Sequence, residues 1–177
     1  MRCISRTILF HWHPKKTEVL AGGEEIEITA TLKDKDGNII PISVDDIEFF
    51  PTLGTITAKV ESGDGSVIAT LVSGNNAGPS TITASIKDPA VTSSASITFI
   101  AADVGSLTLE ATKNFVRIGD NESQIIAKVF DTTGNPKSDV TVTFSIVKGP
   151  GGGERLDSGT AETNDIGQAI VTFMSGM

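Results

Sequence analysis

The strongest constraint on the fold of this 177-residue chain is an internal repeat. Residues 19–38 align without a gap on residues 116–135. A second block, residues 65–74, aligns on residues 167–176 and follows the first block in the same order. Two matched blocks in one order indicate two copies of a single structural unit, because such self-similarity is typical of repeated modules.

Each copy carries the residue alternation of a half-buried β-strand. In the first copy, apolar residues fall at every second position from Ile26 to Leu32, with Glu or Thr between them. In the second copy the same alternation predicts a strand whose core face carries Val140, Val142, Phe144 and Ile146. The sequence has no capped apolar stripe at helical spacing. We therefore predict an all-β chain.

The spacing of strands and turns predicts two tandem immunoglobulin-like β-sandwiches. We assign residues 1–102 to the first domain, with residues 1–6 as an irregular or non-native start, and residues 103–177 to the second. Residues 75–100 of the first copy, which predict two further strands, have no counterpart in the second. We expect the second sandwich to be C-terminally truncated and to lack its last strands, so that its open sheet edge favours strand-mediated self-association.

Charge and cysteine content exclude several classes of protein. The net charge is −8, and each copy carries −4 (8 basic and 12 acidic residues up to Ala102, 6 and 10 after it). Without a basic patch we expect no binding to nucleic acid or to an anionic membrane. Cys3 is the only cysteine and cannot form an internal disulfide. Residues 1–16 do not have the pattern of a signal peptide, so we expect any export signal to lie outside this chain.

Two sets of turn residues recur in both copies. Residues that tolerate a positive φ close the first block in each copy, and a hairpin turn is the expected structure there. A glycine opens the second block in each copy. We assign a structural role in turns to nine residues: Asp34, Gly37, Asn38, Gly65, Asp131, Gly134, Asn135, Pro136 and Gly167.

Two candidate metal sites are weighed against this turn interpretation. Asp34, Asp36 and Asn38 alternate as calcium ligands do, but the loop lacks Gly at position 6 and Glu at position 12 of an EF-hand. We favour the turn and keep calcium as the alternative. His11 and His13 could face the same side of a strand, but two ligands are too few for a zinc site.

No pattern in the sequence indicates an enzyme. Both histidines lie in one N-terminal segment, so no separate nucleophile and base can be assigned. The glycine-rich run at residues 149–153 has no following Lys-Ser or Lys-Thr and is interpreted as a loop between strands. Trp12 could stack on a sugar, but its alternation with Ile8 and Phe10 favours a place in the core or at a domain end.

The residues of both copies resemble a known family. The second copy carries Asp131, Gly134, Asn135 and Pro136, then the strand from Val140, then the run at residues 163–172. This order resembles the bacterial immunoglobulin-like group 1 repeats of invasin and intimin. The first copy follows the pattern more loosely, with Ile39 in place of the proline.

The resemblance implies a non-catalytic spacer module of a bacterial cell-surface, extracellular adhesin-like protein. Its partners would be neighbouring immunoglobulin-like repeats of the parent chain, and a host or surface protein bound through a domain not present here. The short linker at residues 101–105 suits such a stalk. The alternatives are a carbohydrate- or host-protein-binding module of a larger extracellular protein, and a decoration domain of a phage particle.

Overall fold

The computed structural model describes residues 7–13, 16–87, 90–119 and 121–177, the first of these ranges by its backbone alone. The chain divides into two compact units, Met1–Ile100 (unit 1) and Ala101–Met177 (unit 2). Every regular element of the described ranges is a β-strand, which confirms the all-β fold class. The described part of the chain accordingly holds no apolar helix of membrane-spanning length.

Unit 1 consists of two four-stranded sheets. In chain order its strands are β1 (Thr7–His13), β2 (Glu18–Leu20), β3 (Glu25–Lys33), β4 (Ile47–Pro51), β5 (Thr55–Glu61), β6 (Val67–Val72), β7 (Gly78–Ile86) and β8 (Val91–Ile100). The first sheet has the order β1-β3-β6-β5 and the second β2-β8-β7-β4. All neighbouring strands are antiparallel except β2 and β8, which run parallel with Val19 opposite Phe99.

The central strands of unit 1 form because their sequence alternates. On β3, Ile26 and Ile28 are buried while Glu25 and Glu27 are exposed. On β6, alternate residues beginning with Val67 are buried in the same way. Successive side chains of a strand point to opposite faces, so this pattern gives each strand one face toward the second sheet.

The interior of unit 1 contains two clusters of buried apolar side chains. Cluster A contains Ala30, Leu32, Ile42, Ile47, Val67, Ala84 and Ile86. Cluster B contains Val19, Ala21, Ile26, Ile28, Leu71, Ile82, Ile97 and Phe99. Three members of cluster B come from β7 and β8, so this pair of strands closes that half of the sandwich.

Unit 2 has the first sheet of unit 1 but only a small second sheet. Its strands are β9 (Val104–Ala111), β10 (Glu122–Asp131), β11 (Thr141–Thr143), β12 (Arg155–Leu156), β13 (Thr160–Glu162) and β14 (Gln168–Met174). One sheet has the order β12-β14-β10-β9, and the other is the pair β11-β13. By the alignment of the two copies, β10 corresponds to β3 and β14 to β6.

One apolar cluster lies inside unit 2, where unit 1 has two. It contains Ala127, Val129, Val142 and Ala169, and we call it cluster C. By the repeat, the first two of these residues correspond to Ala30 and Leu32, which belong to cluster A. The described residues of unit 2 form no counterpart of cluster B.

The strand after the second turn is shorter than the sequence predicts. We expect it to reach Ile146, but β11 ends at Thr143, and the Ile146 side chain is partly exposed. In unit 1 the equivalent strand β4 pairs with β7 along its whole length. Among the described residues of unit 2, no strand takes the place of β7, and β11 pairs with β13 and ends early.

The turn after each first block reverses the chain, but it does not lead into a second full strand. A single antiparallel bridge forms in each copy, between Lys33 and Ile39 and between Phe130 and Pro136. Both sides of β3 are already occupied by β1 and β6, and both sides of β10 by β9 and β14. The chain therefore pairs back only next to the turn and then crosses to the second sheet.

Candidate functional site

The most connected polar group of unit 2 is the carboxylate of Asp131, at the end of β10. Its side chain is 3% exposed. It accepts hydrogen bonds from the backbone N–H groups of Thr133 and Asn135, both at 2.8 Å. The side-chain amide of Asn135 donates a further bond at 2.9 Å. A short acceptor at this position thus closes the turn by satisfying backbone groups that the strands leave unpaired.

Asp131 and its neighbours also hold the linker that opens unit 2. The backbone N–H of Ala102 donates to the Asp131 carboxylate at 2.9 Å. The Nζ of Lys137 donates to the carbonyl oxygen of Ala101 at 2.8 Å. A Cβ on Gly105 would lie 2.6 Å from the carbonyl oxygen of Asp131, so only glycine permits this close approach. The role of Lys137 has no signature in the sequence, because its bond goes to a backbone carbonyl.

These hydrogen bonds set the charge state of Asp131. Burial on its own would raise the pKa of this carboxyl, but the bonds from Asn135, Ala102 and Thr133 outweigh it and hold the pKa well below its usual range. Hydrogen bonds donated to a carboxylate favour its charged form. Asp131 is therefore ionised across the physiological range of pH.

This low pKa predicts an acid-sensitive unit 2. A carboxyl whose pKa is lower in the folded than in the unfolded chain contributes stability that is complete above the unfolded pKa of about 3.9 and is lost as the pH falls through the folded value. We expect unit 2 to lose stability as the pH falls below about 4, and Asp131→Asn to flatten that dependence. Urea unfolding followed by resolved NMR amide signals at pH 7 to about 2.5 measures it. Asp34→Asn, the control, should leave the slope of unit 2 unchanged, and an unchanged slope in Asp131→Asn would contradict the assignment.

The equivalent turn of unit 1 is more exposed. The Asp34 carboxylate accepts bonds from the backbone N–H groups of Asp36 and Asn38, both at 2.9 Å, and from the Asn38 amide at 3.0 Å. The Asp36 carboxylate faces the Nζ of Lys35 at 2.6 Å. The three calcium candidates thus lie together in one turn, and their carboxylates face donors of the protein. Within the described ranges, His, Cys, Asp and Glu side chains form no group of three that could hold a metal ion.

The two sequence blocks of the repeat meet in space at Gly167. Its φ is +72°, and a Cβ there would lie 2.6 Å from the carbonyl oxygen of Val129 and 3.2 Å from the Cα of Pro136. The backbone N–H of Val129 donates to the Gly167 carbonyl at 2.8 Å. In unit 1 Gly65 lies against Pro41 in a similar way, with the nearest contact at 3.1 Å. The second-block glycine therefore lets two turns pack closely.

We expect Gly167→Ala to destabilise unit 2 by about 2 kcal/mol, and Gly134→Ala by about 1 kcal/mol. Both glycines have a positive φ, but a Cβ on Gly134 would meet nothing within 4 Å, whereas one on Gly167 requires the backbone to move. Urea unfolding followed by the NMR signals of unit 2 measures both losses. Equal losses in the two variants would show that φ alone, and not the close packing, requires glycine at position 167.

A second feature of unit 2 is an apolar face that is not covered. On β10, burial falls from Ala127 to the partly exposed Ile125. On β14, which runs antiparallel to β10, Val171 is buried and Phe173 is partly exposed. Leu109 of β9 lies opposite Ala127 on the same face and is 62% exposed. We call the surface formed by Leu109, Val116, Ile125, Phe144 and Phe173 the open face.

Four residues that the sequence singles out lie outside this description in whole or in part. Cys3 lies outside the described residues. His11 and His13 lie on β1, whose backbone pairs with β3, but their side chains fall outside what the structure describes, as does that of Trp12.

In the glycine-rich loop, the Glu154 carboxylate accepts bonds from the backbone N–H groups of Gly151 and Gly152 at 3.0 and 2.8 Å. This loop is thus tied down by a side chain that sequence reasoning did not single out.

Several solved structures of known proteins are similar to this architecture. The solved structure of invasin, a bacterial integrin-binding protein, matches 98% of this chain and 35% of its own, with 17% identity and a TM-score of 0.64. FdeC, an Escherichia coli adhesin, matches 99% and 57%, with 24% identity and a TM-score of 0.58. InvD of Yersinia pseudotuberculosis matches 97% and 49%, with 22% identity and a TM-score of 0.60.

At these identities the structural likeness shows the fold, and the chain spans only 35% to 57% of the length of these proteins. The family model described as invasin, domain 3, matches residues 11–102, which is more than half of the chain. The resemblance to invasin-type immunoglobulin-like repeats is therefore confirmed. The chain belongs to the invasin domain 3 family.

Proposed function

We propose that this chain is a non-catalytic spacer module of a bacterial cell-surface adhesin. The observation that carries the proposal is that the polar side chains of the repeat motif make their hydrogen bonds within their own unit. Asp131 and Lys137 bind the linker and the turn of their own unit, and Asp34 binds its own turn. Such groups fix a chain path, which is what a repeated structural module requires.

The nine motif residues have a structural role in this proposal. Asp34 and Asp131 close turns, and Gly167 allows two turns to pack. The two repeats, assigned to residues 1–102 and 103–177, would act as successive modules of a longer chain. A calcium ion is not needed for the turn at Asp34, because donors of the protein already face its carboxylate.

The similar solved proteins support the cellular setting. FdeC is an adhesin, and invasin is an integrin-binding protein. By analogy the parent of this chain would lie on the bacterial surface or outside the cell, with neighbouring immunoglobulin-like repeats as direct partners. A host or surface protein would be bound through another domain of the parent, since the module itself supplies reach.

The proposal is tested by placing the chain between an outer-membrane anchor and a single-domain antibody on the surface of Escherichia coli. Capture of the cells by antigen-coated beads should rise relative to a direct fusion of anchor and antibody, because the module carries the antibody away from the envelope. A glycine-serine linker of 177 residues is the control, since it has the same length without folded units. No gain over the direct fusion would count against a spacer.

The main alternative is a binding module for carbohydrate or a host protein. Among the described residues, the most exposed aromatic side chains are Phe50 and Phe115. Phe50 lies in unit 1 and Phe115 in unit 2. A sugar-binding surface requires aromatic rings gathered on one face. We therefore expect the purified chain to show no saturable binding to glycan arrays or to cultured host cells, and saturable binding would overturn the spacer proposal.

A further inference from the structure

The parallel strands β2 and β8 join the beginning and the end of unit 1. β2 lies in the first part of the unit, and β8 is its last strand. The paired residues of the two strands are flanked by a hydrogen bond on each side. The N–H of Thr98 donates to the carbonyl oxygen of Thr17 at 2.9 Å, and the N–H of Ala21 donates to the carbonyl oxygen of Ile100 at 2.8 Å. We call β2 and β8, with these bonds, the terminal pair.

The parallel direction decides how a pull along the chain loads the terminal pair. In two parallel strands, the N-terminal end of one and the C-terminal end of the other lie at opposite ends of the pair. Tension that enters before β2 and leaves after β8 therefore acts along the strand axis and stretches all the bonds together. An antiparallel pair pulled at the same two points would open one bond at a time, because both points would lie at one end.

The interior side of the terminal pair resists small slips of β2. Val19 lies opposite Phe99, and both side chains are buried in cluster B. The neighbours of Val19, Glu18 and Leu20, are exposed. After a slip of one residue the strands could pair again only with the Glu18 carboxylate turned toward the interior, which is costly for a charge. β2 must therefore move by two residues, about 6.6 Å, before it can pair and pack again, and this movement breaks every bond of the pair.

The far end of β2 is fixed to the body of the unit by Ser73, which follows β6. The Ser73 hydroxyl accepts hydrogen bonds from the N–H groups of Gly23 and Glu24 at 3.1 and 2.9 Å. It donates to the carbonyl oxygen of Leu20 at 2.7 Å, and Ser73 itself is 4% exposed. Tension on β2 therefore reaches the packed interior and is not relieved by movement of the loop after the strand.

We propose that unit 1 bears tension along the chain and that the terminal pair is the clamp that resists it. Bonds loaded together and backed by a buried core are the arrangement that such a clamp requires. A module that joins a cell envelope to a bound surface is pulled at both ends, so the biological use of the clamp rests on the spacer function proposed above. The clamp itself is a property of the folded unit and is measured on the purified chain.

Single-molecule pulling on the full 177-residue chain tests the clamp in two directions. Cys3→Ser removes the native thiol, so handles attach only at introduced cysteines. Thr17→Cys with Ile100→Cys pulls the terminal pair from opposite ends, whereas Thr17→Cys with Ser96→Cys pulls it from one end. Both arrangements attach after β1, whose pairing with β3 would add resistance of its own. We expect the unfolding force to be at least about twofold higher in the first arrangement, because bonds of similar strength break together there and in turn in the second.

Two variants pulled in the first arrangement separate the clamp from overall stability. Thr98→Pro removes the N–H that donates to Thr17 and should lower the unfolding force by at least about a third. Val67→Ala is the control, because Val67 is fully buried in cluster A on β6, away from the terminal pair. It should lower the stability of unit 1 to urea and leave the unfolding force unchanged, since contacts that are intact when the clamp breaks do not affect the rate of breaking.

Equal forces in the two pulling directions would overturn the proposal, and this comparison remains decisive if Thr98→Pro unfolds unit 1. A loss of force in Val67→Ala as large as that in Thr98→Pro would also overturn it, because the force would then follow overall stability. The result is distinct from that of the bead-capture experiment. A chain that fails as a spacer on cells would still show the difference between the two directions.

Discussion

Replacement of Ile28 by alanine is expected to destabilise unit 1 by about 3 to 4 kcal/mol, whereas Ile125→Ala should cost unit 2 about 1 kcal/mol or less. The two isoleucines occupy equivalent positions of the repeat, so residue type and strand are matched. Ile28 is 0% exposed within cluster B, and its removal leaves a cavity that β7 and β8 cannot fill. Ile125 is partly exposed, so its truncation leaves space that water already reaches.

Amide hydrogen exchange on each variant measures its loss, since peptides from β3 and β10 report separately on the two units. Ala30→Gly and Ala127→Gly are the controls. Both alanines are fully buried at equivalent positions, so their losses should be similar, at about 1 kcal/mol each. A loss for Ile125→Ala as large as that for Ile28→Ala would mean that the open face is closed in solution.

Replacement of Asp131 by alanine is expected to destabilise unit 2 by about 3 kcal/mol. The substitution removes the shared acceptor of bonds from Ala102, Thr133 and Asn135. Hydrogen bonds to a charged acceptor contribute more than neutral ones, and donors left without a partner in a partly buried turn carry a desolvation cost. The exchange of the Ala102 amide should also accelerate, because its hydrogen-bond acceptor is gone.

Urea unfolding followed by the NMR signals of each unit measures the effect of Asp131→Ala. Asp34→Ala is the matched control in the other repeat, where the carboxylate is more exposed and holds only its own turn. Its loss should be smaller and confined to unit 1. If Asp131→Ala left both the stability of unit 2 and the Ala102 amide unchanged, the carboxylate would not anchor the linker.

Much of the fold follows from the sequence because its signals are local. The alternation around Ile28 predicts a strand with one buried face, and β3 has that face. The repeat predicts a strand of the same kind at β10, which takes the equivalent place in the sheet of unit 2. Residues 75–100, which have no counterpart in the second copy, contain all of β7 and β8. The apolar–polar alternation and the internal repeat together therefore predict the all-β fold class.

The features that sequence reasoning missed depend on contacts between distant segments. The turn after Asp34 was expected, but the sequence does not show that pairing stops next to it because β1 and β6 flank β3. The bond from Lys137 to the Ala101 carbonyl joins residues 36 positions apart and leaves no pattern in the sequence. One signal was available for the open face. The second copy has Ser123 where the first has Ile26, so the apolar pattern of cluster B is interrupted at this position.

The account rests on the claim that two copies of one repeat differ in how far their cores are closed. The most direct test is amide hydrogen exchange on the unmodified chain, comparing β3 and β6 with β10 and β14. We predict that the amides of β10 and β14 exchange at least about 100-fold faster than their counterparts, because the strands that would bury the open face are not there. Equal protection of the two pairs would contradict the claim, since unit 2 would then be as fully closed as unit 1.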